Sequence, residues 1–371
     1  MKFTCEKAVL SEAISICIHA VASRSTITVL EGLLITAADQ LTICGYNFKT
    51  GIKKTFSADI SEKGSIVLNA KIFNDIVRKL PDDIIEIHCD EHYMTTIRCG
   101  MSEFNILGAS PEEFPELPNV EKNKSIHLSC HLLRSMIDHT VFAVSDNENK
   151  PIHTGSLFEI QQNDLTVVSV DGYRLAMSKE TVTNDTGSNL SFVVPGETLK
   201  EISRILPDSD EETVHIYPER KHALFEIDGT WITTRLLEGE FLNYRNAIPS
   251  DCHIKLEIDV KSIIDCVERV SLIISERLKN PVRCCFEDES LKISCVTSLG
   301  RAYDECPIPH CPEKIEIGFN NRYLLDALRA CPEEKVLLEL KSSLSPCVIR
   351  PVEGEKFLYL VLPVRLKADQ V

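Results

Sequence analysis

The amino-acid sequence predicts an α+β fold of three similar domains, each built from two strand–helix–strand–strand–strand (βαβββ) halves. The first observation behind this is an anchor that occurs three times: FTCEKAVLSEAISICIHAV from Phe3, IHLSCHLLRSMIDHTVFAV from Ile126 and IKLEIDVKSIIDCVERVSL from Ile254. Each reads as a short alternating strand followed by a helix with apolar residues at i, i+3, i+4 and i+7. The second is another anchor, also found three times: GSIVLNAKIFNDIVRKLPDD from Gly64, LSFVVPGETLKEISRILPDS from Leu190 and IEIGFNNRYLLDALRACPEE from Ile315. Here the helices stop before Pro81, Pro207 and Pro332, because proline cannot extend the helical ladder and restricts the residue before it. The third is that strand-like pairs fill every interval between anchors. The result is three copies of roughly 120 residues, a period long enough to be a domain in itself. The connectors 110–124 and 238–251 are acidic and carry prolines. They give domains at 1–120, 121–250 and 251–371.

Composition narrows the class of protein. Hydrophobic residues at 43% and charged residues at 26% of 371 are ordinary for a globular chain. No apolar run approaches a membrane span and no signal core opens the sequence, so a soluble, cytosolic protein is expected. Fifteen cysteines occur without a CxxC; most sit among apolar neighbours and read as buried, reduced thiols rather than disulfides or metal ligands. No metal site and no cofactor is expected. The net charge of −16 argues against a protein that grips DNA with an all-over basic surface, but not against basic residues gathered on one face.

The helices bear on that distinction. In the second helix of the first copy, Ile72, Phe73, Ile76, Val77 and Leu80 are expected to form the buried stripe. Lys71, Arg78 and Lys79 then point outward. Comparable faces carry Arg134, Lys200 and Arg204, Lys261 and Arg269, and Arg322 and Arg329, interleaved with acids. Simple solvated faces and a shared basic surface both remain open. Motifs of catalysis are missing: there is no Gly-rich phosphate loop, GxSxG or HExxH. Trp231, in an alternating strand, reads as packing. The stretch VVSVDGYRLAMSKE (167–180) reads as a β-hairpin with Asp171–Gly172 in a type I′ turn, and Tyr173, Arg174 and Leu175 crowd the returning strand. Its counterparts are expected at Gly45–Tyr46 and Ser298–Gly300.

With these features the chain resembles the bacterial sliding clamps, the beta subunits of DNA polymerase III, over residues 1–366. The resemblance rests on the MKFT start, the three-copy order, VDGYRLA (170–176), IEIGFNNRYLLDAL (315–328) and YLVLPVRL (359–366). It implies three clamp domains per chain and a head-to-tail homodimer, with antiparallel sheets outside and helices lining a ring interior. Twelve helices at about 10 Å each would leave a hole of roughly 28 Å, wider than a duplex of roughly 20 Å. Held by topology, duplex DNA would be bound without regard to sequence. The implied role is a non-enzymatic processivity factor. The alternative reading is a repeat-built interaction scaffold that never encircles DNA.

The resemblance also implies sites. A groove for short apolar peptides of the polymerase alpha subunit, the clamp loader and other clamp-binding proteins would be formed by several segments. These are Val170, Gly172, Tyr173, Arg174 and Leu175; Leu242 and Ala247; Asn320 and Tyr323; Leu344 and Pro346; and Leu360, Leu362, Pro363, Val364, Arg365 and Leu366. Leu242 stands where the family usually has proline, Asn246 where a basic residue is common, and Pro346 where a small hydroxyl residue is common. DNA would be faced by Arg24, Lys71, Asn147, Lys150, Lys200 and Arg204. Pro151–Ile152 stands where the family has aromatic character. The dimer seam would bring Glu103, Phe104 and Ile106 against Leu299, Arg301 and Tyr303 of the second chain, with Glu103 and Arg301 as a cross-seam pair. Residues 367–371 extend past the family's usual end and would lie beside the groove.

Overall fold

The structure, a computed structural model, describes residues 1–275 and 280–366. The extension 367–371 lies outside the described residues. In the first copy, β1 (Lys2–Glu6) leads into α1 (Lys7–Cys17), followed by β2 (Gly32–Ala37), β3 (Leu41–Tyr46), β4 (Thr50–Phe56) and a short β5 (Asp59–Glu62). Its second half is β6 (Gly64–Asn69), α2 (Ala70–Lys79), β7 (Ile84–Cys89), β8 (Met94–Cys99) and β9 (Ser102–Leu107). The middle copy repeats this with β10 (Ile126–Ser129), α3 (Cys130–Asp138), β11 (Gly155–Gln161), β12 (Asp164–Val170), β13 (Arg174–Thr181) and β14 (Thr183–Asn184). It continues with β15 (Leu190–Pro195), α4 (Gly196–Ile205), β16 (Thr213–Pro218), β17 (His222–Ile227) and β18 (Thr230–Arg235). The last copy has β19 (Ile254–Asp259), α5 (Val260–Ser271) and two long strands, β20 (Val282–Thr297) and β21 (Gly300–Phe319). It ends with α6 (Asn321–Arg329), β22 (Lys335–Leu340), β23 (Cys347–Pro351) and β24 (Phe357–Val361). The βαβββ order therefore holds, except that the last copy fuses neighbouring strands. Register shifts around Asp288, whose φ is +51°, let β20 run through what is a turn in the other copies.

Asn69, Asp259 and Asn320 each accept a backbone N–H at the start of α2, α5 and α6, satisfying donors that the helix leaves open. Leu80, before Pro81, is extended at φ −63°, ψ 152°, so α2 ends there. Ile72 departs from the expected stripe: it is 51% exposed, whereas Phe73 and Val77 are fully buried. At about 100° per residue Ile72 lies well round from the Phe73–Val77–Leu80 line, on its flank. The cysteines are buried apart from Cys252, Cys285 and Cys331, which are half-buried, and all are free thiols.

Among the described residues the strands form four sheets. One has the order β5-β1-β7-β8-β9 and another is the β20-β21 pair. The other two each join two copies: β14-β10-β16-β17-β18-β4-β3-β2-β6, and β15-β11-β12-β13-β24-β23-β22-β19. In both, the last strand of one copy pairs antiparallel with the third strand after the first helix of the preceding copy. The chain consequently divides into two compact units that cut across the sequence repeats. One is 1–133, 183–186 and 201–236; the other is 134–182, 187–200 and 237–371.

Copy-to-copy equivalence extends to register. Isolated bridges Val67–Ala109, Val193–Leu237 and Gly318–Val364 recur at corresponding places in the three copies. At the β18–β4 joint Ile232 opposes Ile52 and Thr233 opposes Gly51. At the β24–β13 joint Tyr359 opposes Ala176 and Leu360 opposes Leu175. These are the same positions in the repeat.

The hairpin turns correct two sequence expectations. The middle hairpin is closed by Asp171 and Arg174, so its central residues are Gly172 and Tyr173 rather than Asp171–Gly172. Only Gly172, at φ +90°, is left-handed, which is the II′ pattern rather than I′. Asp171 instead supplies its carboxylate: Oδ1 accepts the N–H of Tyr173 (2.8 Å) and of Arg174 (3.0 Å). The Asp-Gly turn with two positive φ values occurs elsewhere, at Asp228 (+36°) and Gly229 (+67°) between β17 and β18. The first copy's counterpart is Asn47–Thr50, not Gly45–Tyr46, which lie inside β3 and pair with Ile52 and Gly51. There Asn47 Oδ1 accepts the N–H of Lys49 (3.1 Å) and Thr50 (2.8 Å), with Phe48 at φ +66°. In the last copy the counterpart is closed by Thr297 and Gly300, which brackets the expected Ser298.

Candidate functional site

Most residues of the groove expected beside Tyr173 lie on or next to β12, β13, β24 and α6 of the second unit. Strand β24 is buried on both faces, so its side chains divide by the two-residue period of a strand. Phe357, Tyr359 and Val361 enter the core of the last copy. Leu358 and Leu360 enter a separate apolar cluster with Leu157, Val168, Val170, Leu175, Val193, Tyr244 and Val348. Leu362, Phe241, Ile248 and Ile152 lean on that cluster from outside. Val170, Leu175 and Leu360 are therefore its floor, at 2%, 3% and 4% exposure.

Of the apolar residues expected in the groove, Tyr173, Leu242, Leu344 and Val364 are left exposed by the fold. Leu344, Val364, Arg365 and Leu366 line a cleft of about 330 Å³ together with Gly318. Tyr173, Arg174, Asn320 and Tyr323 line a larger one of about 730 Å³, with Asn147, Arg322 and Asp326. Gly172 contributes only its backbone; an added Cβ would meet nothing within 4 Å, so its φ is what the turn requires. Ala247, Pro346 and Pro363 lie at the margins, exposed or half-buried. Sequence reasoning missed Leu157, Val168, Val193, Val348 and Leu358, whose signal was only an apolar strand pattern shared with every core strand. It also missed Tyr244, whose OH donates to Glu159 Oε2 at 2.9 Å. Burial raises the Glu159 carboxyl, but hydrogen bonds from Arg245 and Tyr244 outweigh it and hold that group below its ordinary range.

Arg174 is not a free cation at the rim. Its Nε donates to Asp171 Oδ2 (2.9 Å) and its Nη1 to Asp326 Oδ2 on α6 (2.6 Å). The guanidinium carbon lies 4.5 Å from the Tyr323 ring centre and 5.5 Å from that of Phe142. Tyr323 in turn stacks on Tyr173, with centroids 5.9 Å apart and planes 23° from parallel. Burial first, then the Asp171 charge, raises the Tyr323 hydroxyl above its ordinary value.

The joint between β18 and β4 differs from the β24–β13 joint at the corresponding positions. The pair Leu175–Leu360 is replaced there by Gly51–Thr233, and Leu362 by Arg235. Lys49 stands for Tyr173 and Thr50 for Arg174. At these positions the joint thus carries polar and small side chains in the first unit and, Arg174 aside, apolar ones in the second.

The remaining expected residues are placed as follows. Arg24, Lys71, Asn147, Lys150, Lys200 and Arg204 are all exposed. Asn147 is partly used by its own turn, its Oδ1 accepting the N–H of Asn149 at 3.0 Å. Arg204 pairs with Glu201 at 2.7 Å, and Glu201 also meets His19 Nδ1 at 2.6 Å. Glu103, Phe104 and Ile106 lie on β9, the edge of its sheet, and Arg301 and Tyr303 lie at the start of β21, with Leu299 in the turn before it. Phe104, Leu299 and Tyr303 are exposed. Glu103 already accepts from Arg98 Nε on β8 at 2.8 Å. Trp231 packs as expected, with Lys122 Nζ 3.4 Å from its ring centre and its own N–H donated to Glu226. Among the described residues no group of His, Cys, Asp and Glu is placed to hold a metal ion, and no helix is long and apolar enough to cross a membrane.

Three equivalent domains joined by shared sheets define a clamp-type chain. Family models agree domain by domain: DNA polymerase III beta subunit N-terminal domain over residues 1–118, central domain over 127–243 and C-terminal domain over 245–365. The beta sliding clamp of Bacillus subtilis is 32% identical over 98% of this chain and all of its own length. That of Halalkalibacterium halodurans is 33% identical with the same coverage. The solved clamp of Bacillus subtilis superposes with a TM-score of 0.95, covering 99% of this chain and 100% of that one at 32% identity. The beta chain from Streptococcus pneumoniae gives 0.92 at 28% identity, covering 98% of this chain and 100% of its own. The chain belongs to the DNA polymerase III beta subunit family, the DNA sliding clamps, and is a processivity factor that encircles duplex DNA and tethers the polymerase to it.

Proposed function

We propose that two copies of this chain close head to tail around DNA, and that the groove beside Tyr173 holds the short apolar peptides of its partners. One observation carries the closure. Strands β18 and β4, and β24 and β13, pair in the same register. Strand β9 and the start of β21 occupy the equivalent positions of the third such joint. Among the described residues neither has a second neighbour there. Exposed strand edges of this kind are templates for pairing, and a second copy supplies the match.

Transferring the register places Phe104 opposite Ala302 of the second copy, Glu103 opposite Tyr303 and Asn105 opposite Arg301. Glu103 and Arg301 then become diagonal neighbours, with Glu103 shared with Arg98. As a solvent-exposed pair they would contribute little to the seam. The apolar faces of Phe104, Leu299 and Tyr303 supply more of the seam.

In this reading the chain performs no chemistry. DNA is retained because the ring is closed, and Arg24, Lys71, Asn147, Lys150, Lys200 and Arg204 face it loosely through water and ions. The excess of acids elsewhere disfavours DNA on other surfaces. The groove takes peptides of the polymerase alpha subunit, the clamp loader and other clamp-binding proteins. It works in the cytoplasm, where the free thiols stay reduced. The test is retention on DNA after loading. The protein is expected to stay on a nicked circle through a high-salt wash and to leave when the circle is cut. Loss to salt alone, with circles and linear DNA behaving alike, would refute encirclement and favour a scaffold that binds DNA electrostatically.

A further inference from the structure

We propose that Asp171, Arg174 and Asp326 form a latch that positions Tyr173 over the groove, so that Arg174 acts on a bound peptide through α6 rather than by touching it. This rests on the peptide-groove reading above.

The latch ties together three walls. Asp171 uses one carboxylate oxygen to shape the turn and the other to hold the Arg174 guanidinium. Arg174 extends that hold to Asp326, 152 residues away in sequence. Leu362, the first residue after β24, donates its N–H to the Tyr173 carbonyl at 2.8 Å. A shift of α6 is thereby passed to the turn, to Tyr173 and to the end of β24. Only a guanidinium can serve two carboxylates in a plane while stacking on a ring. The Arg174 side chain is 10% exposed, too enclosed by Asp171, Asp326 and Tyr323 to offer its charge to a ligand.

The first copy shows that the turn does not need the latch. Asn47 builds the same turn with a neutral amide, and Thr50 stands where Arg174 does. Glu201, the counterpart of Asp326, is engaged there by His19 and Arg204. The second carboxylate oxygen of Asp171 and the guanidinium are therefore additions specific to the joint that carries the groove, while a carboxylate on the following helix is common to both joints.

The test measures binding of a fluorescent hexapeptide containing two leucines and a phenylalanine. Asp326→Ala and Arg174→Ala should each weaken it by about fivefold, and the double variant by no more than about the larger single loss, since the two act as one unit. Arg174→Lys should not restore binding. Amide exchange at Tyr173 should quicken in Asp326→Ala, and Asp326→Asn, which keeps the side-chain volume, should give the same result if the alanine variant folds poorly. Wild-type affinity in both Asp326 variants, or losses that add in the double variant, would overturn the latch and make Arg174 a direct contact. Leu344→Asp serves as the groove control. If it binds as wild type, the groove reading fails and the latch with it; if it loses binding while Asp326 is silent, the latch alone fails.

Discussion

Burial makes His139 and His153 harder to protonate. His139 and His153 lie below their ordinary 6.5, chiefly because each is partly withdrawn from water; Lys150 lowers His153 further, while Asp138 partly offsets the shift at His139. A histidine depressed in the folded state takes up its proton more readily when unfolded. Its contribution is fully present above pH 6.5 and is lost as the pH falls towards the folded value. Denaturant midpoints are therefore expected to drop between about pH 7.5 and 5, ahead of carboxylate titration. Replacing His139 by Gln should flatten that part of the profile. An unchanged slope in the variant would locate the effect elsewhere.

Single elements carry the groove's geometry. Helix α6 is capped by Asn320, whose Oδ1 accepts the N–H of Arg322 (3.0 Å) and Tyr323 (3.3 Å). Asn320→Ala should cost about 1 kcal/mol in that first turn. Because Tyr323 sits in the same turn and stacks on Tyr173, fraying should also weaken peptide binding. Amide exchange at Arg322 and Tyr323, roughly fivefold faster in the variant, would report the fraying directly. Exchange unchanged from wild type would show that the cap is redundant.

The whole molecule depends on its open strand edges. Replacing Phe104 and Leu299 together by Asp puts like charges on both sides of the proposed seam and removes apolar contact from it. Sedimentation should then show a monomer at concentrations where the unaltered chain is a dimer, and retention on circular DNA should be lost with it. A dimer that survives both changes would place the seam at other strands. The joints β18–β4 and β24–β13 are internal to the chain and should be untouched, so near-native circular dichroism is expected.

The three-copy plan was legible from the chain because it is local. Strand alternation, helix stripes and the stops at Pro81, Pro207 and Pro332 each depend on residues within a few positions of one another. Free buried thiols followed for the same reason, whereas Val170, Leu175 and Leu360 were singled out only through the resemblance to a known family. The turn at Asp171 did not, because its carboxylate replaces backbone pairing and moves the central pair to Gly172–Tyr173. Ile72 is apolar by type yet lies beyond the edge of its stripe. Arg174 was visible as a cation, but its partner Asp326 is brought to it only when β13 pairs with β24 and α6 packs alongside. Folding decided which copies share a sheet, which edges stay open and which charges are already spent, because those outcomes depend on residues distant in the chain.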